Sequence, residues 1–206
     1  MSKIEVVLAT KNRGKVRDFA DIFDQMGLSA RIALLDLSKF PGFPDVPEIG
    51  ATFSENALIK ARAAALHTGQ IAIADDSGIV VDAINGAPGI YSARFAGPDA
   101  DDQANNEKLL RMMKDVPEAE RGAAFRAAVA IVSPEGREAV VTGECRGYIA
   151  AAPLGTGGFG YDPVFFYPPL KKTYGQMLDV EKNRISHRRR AIEAAASKLA
   201  AFIGDA

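Results

Sequence analysis

A short apolar stretch that ends in two acidic residues constrains the fold of this chain more than any other segment. It reads Ile71-Ala-Ile-Ala-Asp-Asp-Ser-Gly-Ile79, a pattern that predicts a buried strand ending at Asp75 and Asp76 and opening into a turn. Ligands of open α/β sheets bind at the carboxyl ends of the strands, so the two carboxylates are candidates for a metal-dependent active site. The alternative interpretation is a polar turn, because Asp, Ser and Gly dominate turns for conformational reasons alone.

Strand and helix patterns alternate in the first third of the chain, and two long strand patterns follow in the middle. Strands are predicted at 3–9, 31–37, 71–75, 79–84, 123–133, 137–151 and 163–166, and helices at 12–26, 52–67, 101–114 and 186–203. This order predicts a single α/β domain over residues 1–206, with a long central mixed sheet flanked by helices and two lobes separated by a cleft.

The composition indicates neither a nucleic-acid nor a membrane partner. The 206 residues carry a formal net charge of -1, so a basic site can only be local. No apolar run approaches the roughly 18 residues of a membrane span, and the first residues lack a signal-peptide pattern, so we expect a cytoplasmic protein. Cys145, the single cysteine, excludes an intramolecular disulfide and is predicted to be buried.

A polar loop between the first predicted strand and its helix has the composition of a phosphate site. Its residues are Thr10, Lys11, Asn12, Arg13, Gly14 and Lys15. A helix amino terminus presents unpaired N–H groups and a partial positive charge, which suit a phosphate. The structural alternative is that Asn12 caps the helix and that the lysines are solvated.

Two acidic residues lie near the start of the second predicted helix, and only one of them has an evident structural role. Thr52 and Glu55 fit a capping box, whereas Glu48 lies in the preceding loop and is the better candidate for a metal ligand. Asn56 and Lys60 are four residues apart and can point together. For Lys60, the spacing alone favours an exposed helical lysine.

Two further segments suit a nucleoside. The loop from Gly155 to Gly160 permits close approach of the backbone to a ligand, and Phe159 and Tyr161 offer aromatic faces for a base. The alternative is a turn with one aromatic side chain in the core.

The run His187-Arg-Arg-Arg190 opens the last helix, where positive charge is unfavourable unless an anion or electron-rich group approaches. Its alternative is a solvated or nucleic-acid-binding basic surface.

Phosphate-binding cations, a stacking loop and acidic residues together predict a nucleoside triphosphate as the substrate. Magnesium prefers one or two carboxylates plus substrate phosphates, and Glu48 with the pair Asp75 and Asp76 can supply the carboxylates.

Six motifs occur in order over nearly the whole chain. They are Thr10-x-Asn12-x-x-Lys15, Gly50-x-Thr52-Phe53-x-Glu55-Asn56-Ala57, Ala74-Asp-Asp-Ser-Gly78, Gly86-Ala-Pro-Gly-Ile-Tyr-Ser-Ala-Arg94, Gly155-Thr-Gly-Gly-Phe-Gly-Tyr-Asp-Pro163 and Ile185-Ser-His-Arg188. In this order they resemble the inosine/xanthosine triphosphate pyrophosphatase family, which hydrolyses noncanonical purine nucleoside triphosphates to the monophosphate and pyrophosphate. The resemblance implies an α/β fold with the active site in a cleft between two lobes, a homodimer and a requirement for Mg²⁺.

The resemblance also implies roles for individual residues. Asp76 would be the general base that activates the attacking water, and Glu48 and Asp76, supported by Asp75, would hold the metal. The phosphates would be held by Thr10 to Lys15 with Lys60 and Lys182, and the nucleoside by Ser77, Phe159, Gly160, Tyr161, Asp162, His187 and Arg188.

Two other functions stay open at the level of the sequence. A pyrophosphatase of related fold that acts on pyrimidine nucleoside triphosphates would share the phosphate and metal residues and differ in its base pocket. A nucleotide-sensing or nucleic-acid-binding module would use the basic run 187–190, and its DNA binding would depend steeply on salt. The module leaves Glu48 and Asp76 without a role.

Overall fold

The helices and strands follow the sequence patterns closely in the computed structural model, which describes residues 3–204. Within this range the elements are, in chain order, β1 (Ile4–Leu8), α1 (Arg13–Gln25), β2 (Ile32–Asp36), α2 (Phe53–Thr68), β3 (Ile71–Val81), α3 (Asp102–Met112), β4 (Gly122–Val132), β5 (Glu138–Ile149), β6 (Phe165–Tyr167), β7 (Lys172–Thr173), α4 (Asp179–Ile185) and α5 (His187–Ile203). Over residues 3–204, no helix has the length and apolar character needed to cross a membrane.

The strands of the described range form one seven-stranded mixed sheet in the order β2-β1-β3-β4-β5-β6-β7. Strand β1 is parallel to β2 and β3, whereas β6 is antiparallel to β5 and β7. The pairing of β1 with β3 ends at Leu8 and Ile73, so β3 continues beyond the end of β1. The predicted α/β fold with a long mixed sheet and flanking helices is confirmed, and the single domain with its cleft stays a prediction.

The chain divides into two compact units. The first comprises the described residues up to Asp76, the segment Ala127–Gly143 and the described residues from Arg188 onward. The second comprises Ser77–Arg126 and Glu144–His187. Strands β3, β4 and β5 each contribute residues to both units.

The core of the first unit lies on both faces of its strands, because successive side chains of a strand point to opposite faces. On one face, Leu8 and Ile73 lie in a buried cluster with Phe19 of α1 and Ile192 of α5. On the opposite face, Ala74 lies in a second buried cluster with the alanines of α2. Odd-numbered residues of this part of β3 therefore face α1 and α5, and even-numbered residues face α2.

Helix α2 packs through small side chains. Its buried residues are Asn56, Ala57, Ala61, Ala64 and Ala65. Ala57, Ala61 and Ala64 follow one another at intervals of four and three residues, and with the adjacent Asn56 and Ala65 they form one stripe on the helix. Because an alanine side chain is a single methyl group, α2 can lie close to the sheet, and the polar side chains beside this stripe come within reach of β3.

Aromatic side chains form the centre of the second unit. The ring of Phe125 on β4 is stacked on that of Tyr174, with 5.6 Å between the centroids, and lies 4.7 Å from that of Phe165 on β6. Cys145 is fully buried in the same cluster, as predicted.

Two parts of the secondary structure differ from the prediction. Strand β3 does not end at Asp75, because it continues through Asp76 to Val81 without the predicted turn. Gly78 marks a close approach instead, since a side chain there would collide with Ser92 and with the carbonyl oxygen of Gly89. The short elements β7 and α4 were not predicted, because two and seven residues give too little periodicity.

Candidate active site

The loop before α1 surrounds the amino terminus of that helix. Asn12 is the cap, and its Oδ1 accepts hydrogen bonds from two N–H groups of the first turn at 2.8 and 3.2 Å. The N–H of Asn12 donates to Thr10 Oγ1 at 3.2 Å. Lys11 and Arg13 are exposed, whereas the side chain of Lys15 is 14% exposed and turns inward. The structural alternative is therefore correct for Asn12 and wrong for Lys15.

Asp75 faces α1 and α5 and is held by two cations. Its Oδ2 lies 3.2 Å from Lys15 Nζ and 3.3 Å from Arg188 Nε. Arg188 also forms an ion pair with Asp18 on α1. The carboxylate of Asp75 is fully buried, and its charge is compensated by these neighbours.

Asp76, the next residue, faces α2. Lys60 Nζ lies 2.9 Å from Asp76 Oδ1 and 2.7 Å from Glu48 Oε1, so one ammonium group lies between two carboxylates. Asn56 Nδ2 donates to Asp76 Oδ2 at 3.2 Å. The prediction that Asn56 and Lys60 point together is confirmed. The expectation of an exposed Lys60 is wrong, because its side chain is 14% exposed and paired.

Asn56 and Glu55 also fix the loop that carries Glu48. The N–H of Gly50 donates to Asn56 Oδ1 at 2.8 Å, and the N–H of Ala51 donates to Glu55 Oε2 at 2.7 Å. Half of the predicted capping box is present, because Thr52 Oγ1 accepts from the N–H of Glu55 at 3.1 Å, whereas the Glu55 carboxylate binds the residue before the cap. Asn56 joins this loop to Asp76 through the two ends of a single amide group.

The two neighbouring carboxyl groups differ in acidity. Burial alone would raise the pKa of Asp75, but the charges of Lys15 and Arg188 outweigh burial and lower that pKa to about 2. Burial raises the pKa of Asp76, and repulsion by Glu48 adds to this effect, while the attraction of Lys60 does not cancel it. Asp75 therefore stays ionised to a lower pH than Asp76, and Asp76 has the higher affinity for a proton.

The carboxylates that converge are those of Glu48 and Asp76, which share one ammonium group. In the part of the chain that the structure describes, no three His, Cys, Asp or Glu side chains lie together as a metal site. Asp75 does not join them, because it points to the other face of β3. The two carboxylates and the ammonium group of Lys60 together have a net charge of -1. Two carboxylates fit Mg²⁺, because this ion takes its remaining ligands from substrate phosphates and water.

The glycine-rich loop of the second unit is held by Asp162 and Lys182. Asp162 Oδ2 accepts a hydrogen bond from Phe159 N at 2.8 Å and lies 2.5 Å from Lys182 Nζ. The same ammonium group lies 4.6 Å from the centroid of the Phe159 ring, a cation–π contact. Gly158 has a φ of 75°, and a side chain there would collide with the carboxylate of Asp162. Lys182 is buried with a carboxylate partner of its own.

His187 and Tyr161 belong to the aromatic core of this unit. The ring of His187 is stacked on that of Phe125, with 4.9 Å between centroids and 11° between planes. Tyr161 is 4% exposed, and its hydroxyl donates to Ser92 O at 2.8 Å. Burial raises the pKa of Tyr161. The alternative of one aromatic residue in the core is correct for Tyr161, whereas Phe159 is partly exposed.

Ser77 and Gly160 are the remaining predicted site residues, and each is adjacent in sequence to a residue described above. Ser77 lies in β3 and is partly buried. Gly160 is bonded to α3 by its N–H, which donates to Asp102, and by its carbonyl oxygen, which accepts from Asn106. No local spacing in the sequence indicates Asp18, Asp102 or Asn106, because each contacts a residue that is distant along the chain.

The fold and these two clusters define an α/β protein with charged groups suited to a phosphorylated ligand. Residues 6–198 match the Ham1 family, and the chain belongs to that family. It is 52% identical over 188 residues to the dITP/XTP pyrophosphatase of Geobacillus kaustophilus, covering 91% of this chain and 90% of that protein. The resemblance seen in the motifs is thereby confirmed.

Solved structures of the same family are similar over nearly the whole chain. The Staphylococcus aureus Ham1 protein has a TM-score of 0.84 and 41% identity, with 96% of this chain and 99% of that chain covered. A HAM1 protein from Coxiella burnetii has a TM-score of 0.86 and 37% identity, with 95% and 98% covered.

Proposed function

We propose that this protein hydrolyses noncanonical purine nucleoside triphosphates, namely ITP, dITP and XTP, to the monophosphate and pyrophosphate. The observation that carries the proposal is the position of the Lys60 ammonium group between the carboxylates of Glu48 and Asp76. The pKa of Asp76 is raised, which suits a base. Membership of the Ham1 family and the dITP/XTP pyrophosphatase among the relatives support the substrate class. Such an activity would remove these nucleotides from the pool used for nucleic-acid synthesis.

The phosphates are assigned to the cations of the first unit. Lys15 and Lys60 turn inward beside β3, and the exposed Lys11 and Arg13 add positive charge at the start of α1. Positioning and electrostatic stabilisation provide nearly all of the catalysis in phosphoryl transfer, so lysines near the phosphates suit this chemistry. The N–H groups of the first turn contribute less, because Asn12 already accepts from two of them.

Asp76 is assigned as the base that activates the attacking water. Its raised pKa makes it a stronger base than an ordinary carboxylate, and Lys60 and Asn56 fix its two oxygen atoms. Water that loses its proton to Asp76 attacks the α-phosphorus. The bond from that phosphorus to the bridging oxygen breaks, and pyrophosphate leaves.

We further propose that the reaction requires Mg²⁺ held by Glu48, Asp76 and phosphate oxygens. Negative charge that develops on those oxygens would be neutralised by the bound ion. Removal of divalent cations by a chelator is expected to abolish turnover. The substitution Glu48→Gln is expected to raise the Mg²⁺ concentration for half-maximal activity at least about 10-fold, since even outer-shell changes have effects of that size. An unchanged Mg²⁺ requirement would contradict the assignment of Glu48.

The nucleoside is assigned to the second unit. Phe159 offers a partly exposed ring on which a base can stack, Asp162 and Lys182 contact this residue, and His187 adds a polar group of the same unit. Donors from His187 and Arg188 would suit the acceptor at position 6 of inosine and xanthosine and would oppose the amino group of adenine. Two nitrogen atoms of Arg188 already donate to Asp18 and Asp75, so we assign most of this discrimination to His187.

We also propose that the active protein is a homodimer, as the resemblance to the pyrophosphatase family implies. We propose that it acts in the cytoplasm, because its substrates belong to the nucleotide pool. Light scattering coupled to size-exclusion chromatography would test the dimer, and a mass of one chain, 21.9 kDa, would contradict it.

Pyrophosphate release from dITP, XTP, dATP, dGTP and dTTP, with and without Mg²⁺, tests the function. Metal-dependent turnover of dITP and XTP, well above that of dATP and dGTP, is the expected result. Preference for dTTP would instead favour the pyrimidine pyrophosphatase. No turnover, combined with salt-sensitive binding of DNA, would favour the binding module.

A further inference from the structure

Helix α3 holds one residue of the glycine-rich loop at both ends of its backbone. The N–H of Gly160 donates to Asp102 Oδ2 at 2.6 Å, and the carbonyl oxygen of Gly160 accepts from Asn106 Nδ2 at 2.8 Å. The two side chains are four residues apart and therefore lie on the same face of the helix. One helical turn of α3 thus fixes the position and orientation of Gly160.

The two supporting side chains on α3 have stabilising interactions of their own. Asn106 is 7% exposed, and its Nδ2 donates a second hydrogen bond, to the carbonyl oxygen of Asp102, at 2.8 Å. Asp102 lies in the first turn of the helix, where the helix dipole stabilises a carboxylate. A hydrogen bond to an ionised acceptor is stronger than one to a neutral acceptor, so the contact of Asp102 with Gly160 is the stronger of the two.

Phe159, the residue before Gly160, is fixed by these contacts and by one more. Its own N–H donates to Asp162 Oδ2, and the next N–H along the chain donates to Asp102. Both peptide groups that flank Phe159 are therefore anchored by carboxylates. The ring of Phe159 lies against the ammonium group of Lys182.

We propose that Asp102 and Asn106 are positioning residues of the base subsite, which hold the Phe159–Gly160 peptide so that the Phe159 ring is oriented for stacking before the nucleotide arrives. The inference rests on the proposed function, because it assigns the Phe159 ring to the base. A loop that is already ordered loses less conformational entropy on binding, so affinity for the nucleoside is the quantity that Asp102 and Asn106 support. The chemistry at the phosphates does not depend on them.

The substitution Asp102→Ala tests this role at an exposed position, where folding tolerates the change. We expect the KM for dITP to rise about 10-fold, because misplacing the Phe159 ring removes part of the stacking energy of the base. The kcat should stay within about 2-fold of wild type. Inorganic tripolyphosphate lacks a base and reports on the phosphate groups alone. Its inhibition constant is expected to be the same in both proteins.

Asp101→Ala is the matched control. It removes a neighbouring carboxylate and the cap of α3, since Asp101 Oδ1 accepts from Ala104 N at 2.8 Å, but it leaves the bonds to Gly160 in place. We expect it to lower the melting temperature without raising the KM for dITP. Asp102→Asn retains an acceptor for Gly160 and should restore most of the affinity.

A double substitution shows whether Asp102 acts through the stacking ring. In a Phe159→Ala background, Asp102→Ala should raise the KM for dITP no further. The two substitutions are not additive if Asp102 acts only through the Phe159 ring. Equal KM increases in Asp101→Ala and Asp102→Ala, or a full further increase in the Phe159→Ala background, would overturn the positioning role. If wild type is active and Asp102→Ala has an unchanged KM, the positioning role alone is wrong. If wild type does not hydrolyse dITP, the proposed function fails, and this role with it.

Discussion

Asp75 and Asp76 are buried neighbours in one strand, yet they have different ion-pair partners and their pKa values are displaced in opposite directions. Asp75 is fully buried between Lys15 and Arg188, and its pKa is lowered to about 2. Asp76 shares a single lysine with Glu48, and its pKa is raised. The cause is the alternation of a strand, which directs one side chain towards α1 and α5 and the next towards α2.

The comparison shows how one dipeptide provides two functions. Titratable groups whose environments displace their pKa values in opposite directions commonly have separate roles at a reactive site. A carboxylate compensated by two cations stabilises the fold, whereas a carboxylate that shares one cation keeps affinity for a proton or a metal ion. We therefore expect substitutions of Asp75 to act on stability and those of Asp76 to act on turnover.

The largest expected effect is on catalysis. Asp76→Asn should lower kcat for dITP by about 10³-fold, the middle of the range for loss of a general base, with little change in the affinity for dITP at saturating Mg²⁺. Stability should change little, because Lys60 keeps Glu48 as its partner. Steady-state pyrophosphate release and urea unfolding would measure the two quantities. An active Asp76→Asn enzyme would show that the base lies elsewhere.

The next effect is on stability. Asp75→Asn leaves the buried charges of Lys15 and Arg188 without their shared carboxylate, and breaking a buried ion pair in this way destabilises by about 3 to 5 kcal/mol. Urea unfolding at neutral pH would measure the loss, with Asp76→Asn as the matched control. Equal stability of the two variants would remove the distinction between the two faces of β3.

A smaller effect is expected in acid. The pKa of Asp75 is lowered from 3.8 to about 2 on folding, so its contribution is complete above the unfolded value and is lost as the pH falls through about 2. This displacement corresponds to about 2 kcal/mol. Urea unfolding of wild type and Asp75→Asn between about pH 5 and about pH 2 should show the stability difference shrinking by that amount. A constant difference would mean that Asp75 is not the titrating group.

The smallest effect isolates burial as the variable. Arg62 and Glu138 form a two-bond ion pair in the same unit, with N–O distances of 2.5 and 2.7 Å, but their side chains are 54% and 32% exposed. Exposed pairs contribute little because water and salt screen them, so Arg62→Ala should reduce stability by about 0.5 kcal/mol. A loss as large as that of Asp75→Asn would show that bond geometry, more than burial, determines the strength of these pairs.

The sequence predicts the order and type of the long elements well, because helical and alternating patterns repeat over enough residues to be recognised. Helix α2 is the clearest case, with its cap at Thr52 and its alanine stripe. The turn at Asp75 was predicted wrongly, since Asp, Ser and Gly in a row are typical of turns. The strand continues there because Gly78 allows the close approach of Ser92, a contact that no local pattern reveals.

The candidate site is predictable where its residues lie in motifs and unpredictable where its support comes from a distance. Helical spacing alone favours an exposed Lys60, because it does not reveal that Glu48 and Asp76 lie beside this residue. Asp18 and Asp102 were not predicted at all. An acidic residue on a helix is ordinary, so neither position attracts attention in the sequence. Asp18 has a specific role only through its contact with Arg188, and Asp102 only through its contact with Gly160.

The alanine stripe of α2 has a consequence for mutational tolerance. The distance from Lys60 and Asn56 to β3 depends on how closely the helix approaches the sheet, and Ala57, Ala61 and Ala64 set that approach. A larger side chain in this stripe would displace the helix and separate the lysine from the carboxylate it must reach. Selection for activity should therefore act on these three alanines as strongly as on the charged residues. A screen of larger side chains at these positions is expected to yield inactive proteins that are still folded.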